Sequence, residues 1–133
     1  MIKYLAKKRV ARDKLAALYE SVRWLHFRMP EKLQEAYGNS DFVVTAWDGE
    51  RLVGAGRAIT DGCFNAYFPD IAVHPGYHGR GVGREIVSRL LKRCKAFYNV
   101  AAVAEDPIAE SFFLKCGLTD QKKALRRMIP ISG

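Results

Sequence analysis

Between His74 and Leu91 the chain reads HPGYHGRGVGREIVSRLL, with glycines at 76, 79, 81 and 83 and a helical pattern beginning at once. Glycine costs backbone entropy, so four of them ahead of a helix imply a use for bare main chain. The first turn of a helix carries N–H groups without intrahelical partners, and its dipole favours an anion there. Successive amides from about Gly79 to Arg84 can curl around a diphosphate, with Arg80 and Arg84 adding charge-assisted contacts. No acidic residue lies between Asp70 and Glu85, whereas His74, His78, Arg80 and Arg84 do. A tight turn alone needs only one or two glycines. Two phosphate loops are excluded by spacing. Gly76 and Gly81 fit the frame of a Walker A loop, but Val82 and Gly83 follow in place of its lysine and hydroxyl. Counted from Gly79, the last glycine of a dinucleotide fingerprint falls on Arg84, and 133 residues leave no room for a second nucleotide-binding half.

Around this loop the chain alternates strand and helix patterns. IKYLA reads as a short strand, and Leu15, Leu18, Val22 and Leu25 recur at helical spacing, which predicts a helix from about Arg12 to Arg23. Pro30 opens a short helix, PEKLQEAY, that Gly38 can end in a left-handed conformation. DFVVTAW and RLVGAGRAI are strand-like runs joined by a turn at Asp48-Gly49. Asp61-Gly62 turns into FNAYFPDIAV, a third strand that Pro69 must split, bulge or leave unpaired because it has no N–H. REIVSRLLKRCKAF is an amphipathic helix with Ile86, Val87, Leu90, Leu91 and Cys94 on one face. YNVAAVA reads as a strand buried on both faces. DPIAESFFLKCG is a helix with Asp106 as N-cap and Gly117 at its end, and ALRRMIP is a last strand. The result is a mixed α/β fold of order β-α-α-β-β-β-α-β-α-β in a single domain, residues 1–133.

Composition narrows the class. Apolar residues make up 49% and charged ones 27%, the balance of a soluble globular chain. No apolar run approaches the roughly 18 residues of a membrane span, and MIKYLAKKRVARDK lacks the apolar stretch of a secretory leader. Cys63, Cys94 and Cys116 show no CxxC spacing, which predicts reduced thiols in a cytoplasmic protein and no metal. The net charge of +8 favours an anionic partner. It is spread along the chain, and no helix-turn-helix, RRM or zinc pattern accompanies it, which argues against nucleic acid.

DIAVHPGYHGRGVGREIVSRLL resembles the acetyl-coenzyme A loop of the GNAT superfamily of N-acetyltransferases, [Gln/Arg]-x-x-Gly-x-[Gly/Ala] after a strand, with His78 in the first position and Gly81 and Gly83 in the others. The stretch from Asp106 to Leu118, DPIAESFFLKCGL, resembles the family's later signature Asn-x-x-Ala-x-x-Phe-Tyr-x-x-x-Gly-Phe. The order of elements agrees over essentially the whole chain, and GAGRAITDGCFNAYFPDIAV is similar to an aralkylamine acetyltransferase-like branch. The resemblance implies a splayed mixed sheet with helices on both faces. It further implies that backbone groups of Ile71, Ala72 and Val73 pair with the pantetheine arm of acetyl-CoA. The pyrophosphate then sits on His78, Gly79, Arg80, Gly81, Val82, Gly83 and Arg84, with Asp106 and Phe113 also at the cofactor.

Acetyl transfer from a thioester to a primary amine needs a deprotonated amine, donors for an oxyanion and a leaving thiolate, with no covalent enzyme intermediate. Main-chain N–H groups near Ile71 and Ala72 are available as donors. Asp70 is placed to act as a base through water, to anchor a cationic amine, or to serve the structure; Tyr67 is the second catalytic candidate. Trp24, Phe27, Asn65, Tyr67 and Asp70 are the candidate acceptor-binding residues, for a small-molecule amine or a protein amine. Phe113 stands where the family carries a tyrosine able to protonate the departing sulfur, which keeps open an alternative, a catalytically weak acyl-CoA-binding or regulatory module. Oligomeric state is not set by these residues, and a homodimer is compatible with them.

Overall fold

The computed structural model describes residues 1–120. The expected last strand, ALRRMIP, lies outside them. In chain order the elements are β1 (Lys3–Leu5), α1 (Arg12–Ser21), a 3-10 turn (Leu25–Arg28), α2 (Pro30–Asn39), β2 (Phe42–Asp48) and β3 (Arg51–Thr60). They continue with β4 (Asn65–Phe68), β5 (Ile71–Val73), a second 3-10 turn (Pro75–Tyr77), α3 (Val82–Arg93), β6 (Asn99–Ala102) and α4 (Pro107–Lys115). The order agrees with the sequence reading through α4. Two boundaries differ. α1 stops at Ser21 because Arg23 turns left-handed, at φ 61°. Gly38 stays inside α2 and does not end it; Ser40 follows, its Oγ donating to the Ala36 carbonyl.

Among the described residues the sheet runs β1-β2-β3-β4-β6, with β5 paired to β3 alone. Hydrophobic residues pack on both faces. Val82, Ile86, Val87 and Leu90 of α3 form one core with Val44, Val53, Ala58, Ala66 and Phe68. Leu15, Leu18 and Tyr19 of α1 form the other with Leu33 and Tyr37 of α2 and with Val43, Ala55 and Ala72. Gly54 and Gly56 of β3 let α3 approach closely: a Cβ at 54 would lie 2.9 Å from Ile86 and Val82, and one at 56 would lie 2.7 Å from Ile71 and Ile86.

The third strand is divided where Pro69 predicts. Ile59 pairs with Tyr67 and Gly56 with Ile71, so the register against β3 moves by one residue between β4 and β5. That extra residue is a bulge, and it reverses which parity faces which side. Ala66 and Phe68 pack in the α3 core, as do Ile71 and Val73 beyond the bulge, while Ala72 joins the α1–α2 core. β6 pairs in parallel with β4 from Asn65↔Asn99 to Phe68↔Ala102 and goes no further. β5 therefore leaves β6, and the sheet splays. β6 alternates exposed and half-buried residues rather than being buried on both faces, since β4 is its one strand neighbour among the described residues.

Candidate functional site

The splay exposes one strand edge. The His74 amide donates to the Val53 carbonyl at 2.8 Å, and Ala55 lies opposite Ala72 in the same register. Peptide groups alternate along a strand, so Ala72 turns its N–H and C=O toward β3 while those of Ile71 and Val73 point to the open side. Of the three residues expected to meet a peptide-like arm, two therefore present their backbone and Ala72 does not. His78 closes the end of this edge, its Nε2 donating to the Val73 carbonyl at 2.9 Å.

Beyond it lies the glycine loop. Gly79 and Gly81 adopt φ of 77° and 80°, and a Cβ at either would meet nothing within 4 Å. Their conformation, not crowding by the fold, demands glycine. Gly81 is the N-cap of α3, with no side-chain cap on the amides of the first turn. Gly83 is different: a Cβ there would come within 3.0 Å of Phe112 and 3.4 Å of Val73, so the start of α3, the open strand and α4 converge at this point. Arg80 lies over the Tyr77 ring at 4.7 Å, and the Tyr77 hydroxyl donates to Asp48. His74 accepts from the Gly76 amide through Nδ1; burial first, then Arg51 and His78, lowers its pKa. The loop is braced through His74, Tyr77 and His78; Gly79, Arg80, Gly81 and Arg84 are exposed, while Val82 and Gly83 are buried.

Residues 10–118 match the model of the acetyltransferase (GNAT) family. The chain belongs to that family. Acetyltransferases of this family use acetyl-CoA and acetylate amines of small molecules and of proteins. An uncharacterized N-acetyltransferase, ycf52, of Pyropia yezoensis is 28% identical over 119 residues, which span 86% of this chain and 68% of that protein. Serotonin N-acetyltransferase 2, chloroplastic, of Oryza sativa subsp. japonica is 34% identical over 107 residues, spanning 76% of this chain and 53% of the rice protein. The solved structure of a GNAT family acetyltransferase from Streptococcus pneumoniae superimposes with a TM-score of 0.82 at 26% identity, covering 99% of this chain and 98% of that one.

In this acetyltransferase Asp70 is not an open carboxylate. It is 9% exposed; Oδ2 accepts from the Arg57 Nε at 3.0 Å and from the Tyr19 hydroxyl at 2.5 Å, and Oδ1 accepts from Arg57 Nη2 at 3.4 Å. The Tyr37 hydroxyl lies 2.8 Å from that of Tyr19, and the Arg57 guanidinium stands over the Tyr37 ring. Burial opposes the charge of Arg57, but the Asp70 carboxylate outweighs it and raises its pKa. Both tyrosines are raised well above their ordinary value, by burial above all, and stay protonated. Trp24 and His26 pack edge-on against Tyr19, with ring centroids 5.6 and 5.3 Å away, and the buried His26 Nδ1 has no hydrogen-bond partner among the described residues.

The remaining candidates divide. Phe27 packs half-buried against the α1–α2 core. Asn65 is committed to structure, donating to Asp61 and accepting from Asn99. Tyr67 is 41% exposed. Asp106 caps α4, accepting from the Ala109 amide at 2.8 Å. Phe113 is half-buried against Phe112 in the cluster that holds Ile71 and Val73. Sequence reading missed Tyr19 and Arg57. Arg57 had a signal: one charge in the otherwise apolar run LVGAGRAI requires a buried partner. Among the described residues no group of three or more His, Cys, Asp or Glu side chains is arranged to hold a metal, and no helix is long and apolar enough to cross a membrane.

Proposed function

We propose that this chain, acting as one domain over residues 1–133, transfers an acetyl group from acetyl-CoA to a primary amine by direct attack. The observation that carries the reading is the juxtaposition of a strand edge at β5, unpaired among the described residues, with a left-handed glycine loop at the next helix start. A strand edge that offers the Ile71 amide and carbonyl and the Val73 amide is the partner that the amide-bearing pantetheine arm needs, the Val73 carbonyl being taken by His78. The uncapped helix start from Gly79 to Arg84 suits a diphosphate, and glycine at the exposed positions 79 and 81 leaves that approach clear. Here acetyl-CoA is a substrate, and it supplies an activated acyl group.

The protein's own part is to hold, orient and stabilise. The Ile71 amide faces the open edge and is the backbone donor best placed for an oxyanion. Asp70 is fully engaged by Arg57 and Tyr19, so it acts as a positioning residue that fixes the bulge ahead of Ile71, and a free amine enters already deprotonated or loses its proton to water. Phe113 cannot donate a proton to the departing sulfur. Tyr67, the exposed hydroxyl on the strand leading to the edge, is the candidate for that proton, and a thiol whose ordinary pKa is about 8.5 also leaves as thiolate. The aromatic wall of Trp24 and His26 beside Tyr19 suits an amine carried on an aromatic group, in keeping with the rice relative's name. The three unpaired cysteines fit a cytoplasmic setting.

Calorimetry with acetyl-CoA, followed by thiol release across a panel of arylalkylamines, polyamines and lysine peptides, tests the reading. Binding with amine-dependent release is expected. Binding without release for any amine would favour the acyl-CoA-binding module that Phe113 keeps open, and no binding would end both. Phe113→Tyr is expected to raise turnover if proton delivery to sulfur limits it, and Tyr67→Phe to lower it.

A further inference from the structure

We propose that the groove between α1 and the start of β3 is a binding site for a small organic monocarboxylate, held by Arg51, Lys14 and the His74 ring. The groove, of about 360 Å³, is lined by Lys14 and Leu18 of α1, by Glu50, Arg51 and Leu52 where β3 begins, and by His74 just past β5. Leu18 and Leu52 belong to the α1–α2 core, so the groove opens on the α1 side of the sheet, across from α3. The site does not depend on how the acetyl donor is bound.

The His74 ring meets one donor too many. A neutral imidazole offers one lone pair and one N–H, and the protonated ring offers no lone pair at all. Burial and then Arg51 lower the pKa of this ring, so the neutral form prevails at about pH 7.5. The Gly76 amide points at Nδ1 at 3.0 Å, and Arg51 Nη2 lies 2.8 Å from Nε2. With Nδ1 accepting from Gly76, the hydrogen sits on Nε2. The Nε2–H and the guanidinium are then two donors side by side, with no acceptor from a described residue between them. An oxygen that accepts from both resolves the conflict, and a carboxylate matches the guanidinium fork. It also fixes the tautomer that leaves Nδ1 free for Gly76, which ties the groove to the turn ahead of the glycine loop.

Charge and surface narrow the ligand further. Lys14 and Arg51 bring two positive charges and Glu50 one negative, so with a neutral ring the groove carries a net +1 that a monoanion balances. Neither Lys14 nor Arg51 forms an ion pair among the described residues. A phosphate dianion overshoots that balance and meets the Glu50 carboxylate. Leu18 and Leu52 are buried and form an apolar floor, which suits a short aliphatic body behind the carboxylate.

The test titrates the nitrogen-15-labelled chain with butyrate at constant ionic strength and about pH 7.5, following the ring nitrogens of its three histidines by NMR. A saturable shift is expected at His74, with a dissociation constant on the order of 1 mM and Nε2 as the protonated nitrogen, while His26 and His78 stay in place. Arg51→Gln is expected to weaken butyrate about tenfold or more, and Glu50→Gln to tighten it. Both side chains are exposed, so the variants are expected to keep the fold, checked by circular dichroism. Methyl butyrate, the same chain without the charge, is expected to leave His74 unmoved. No saturable shift at His74, a shift that survives intact in Arg51→Gln, or inorganic phosphate binding as tightly as butyrate would overturn the site. Calorimetry with acetyl-CoA on the same samples reads the donor assignment separately, so either can fail without the other.

Discussion

Asp70 shows how one side chain can be read two ways from sequence and one way from its surroundings. A carboxylate just ahead of a substrate-binding edge suggests a base, but both oxygens accept from Arg57, and Tyr19 takes a further lone pair. With the Asp70 and Arg57 side chains 8% and 11% exposed, removing one partner strands a buried charge. Asp70→Asn is expected to destabilise the fold by about 3–5 kcal/mol, measured by urea unfolding, whereas replacing Asp70 and Arg57 together with apolar residues costs less than the two singles combined. A base role would instead appear as a shifted pH–rate profile with stability unchanged. Gly81 makes the complementary case. At φ 80° an alanine is strained by about 1–2 kcal/mol yet meets no neighbour, so Gly81→Ala should cost stability and only part of the acetyl-CoA affinity. Gly81→Asp adds charge where phosphate is proposed and should abolish binding; equal affinities for the two variants in calorimetry would count against the loop. Glycine identity was legible in the sequence, while the tyrosine half of the Asp70 network was not, because Tyr19 looks like any apolar position on an amphipathic helix.

Among elements, the third strand decides the site. Pro69 marked the break in advance, since a residue without N–H cannot continue a ladder. The consequence, a one-residue register shift that turns the peptide groups of Ile71 and Val73 to the open edge, depends on β3 holding both halves and is invisible in a single strand's sequence. Gly54 and Gly56 set how closely α3 lies on β3 and hence where its first turn meets Val73. Gly56→Ala is expected to cost about 1–3 kcal/mol by overpacking against Ile71 and Ile86, read as a drop in thermal midpoint, and to weaken acetyl-CoA binding through the displaced helix start. Gly38 and β6 show the opposite lesson. A glycine near a helix end was expected to stop it, yet α2 continues through Gly38. The apolar composition of β6 suggested two covered faces, yet the strand's burial alternates.

For the molecule as a whole, the chain joins two cores through the sheet, and the polar cluster of Tyr19, Tyr37, Arg57 and Asp70 links α1 and α2 to β3 and the start of β5. Both tyrosines are raised by burial, so the folded state keeps them protonated where unfolded tyrosine, at about pH 10, does not. Their contribution to stability is complete below pH 10 and declines as the pH rises from there toward the higher folded values. Thermal midpoints measured from pH 8 to 11 should fall above about pH 10, with a shallower fall in Tyr37→Phe. The sequence alone determined the succession of strands and helices, the break at Pro69 and a glycine-rich helix start, because periodicity, missing donors and glycine conformations are local properties of the chain. The tertiary structure decided which peptide groups face the open edge, that Asp70 is paired rather than free, and that Lys14 of α1 shares a groove with Arg51 and His74. Each of those depends on which distant residue becomes a neighbour, and register and packing settle that only when the chain has folded.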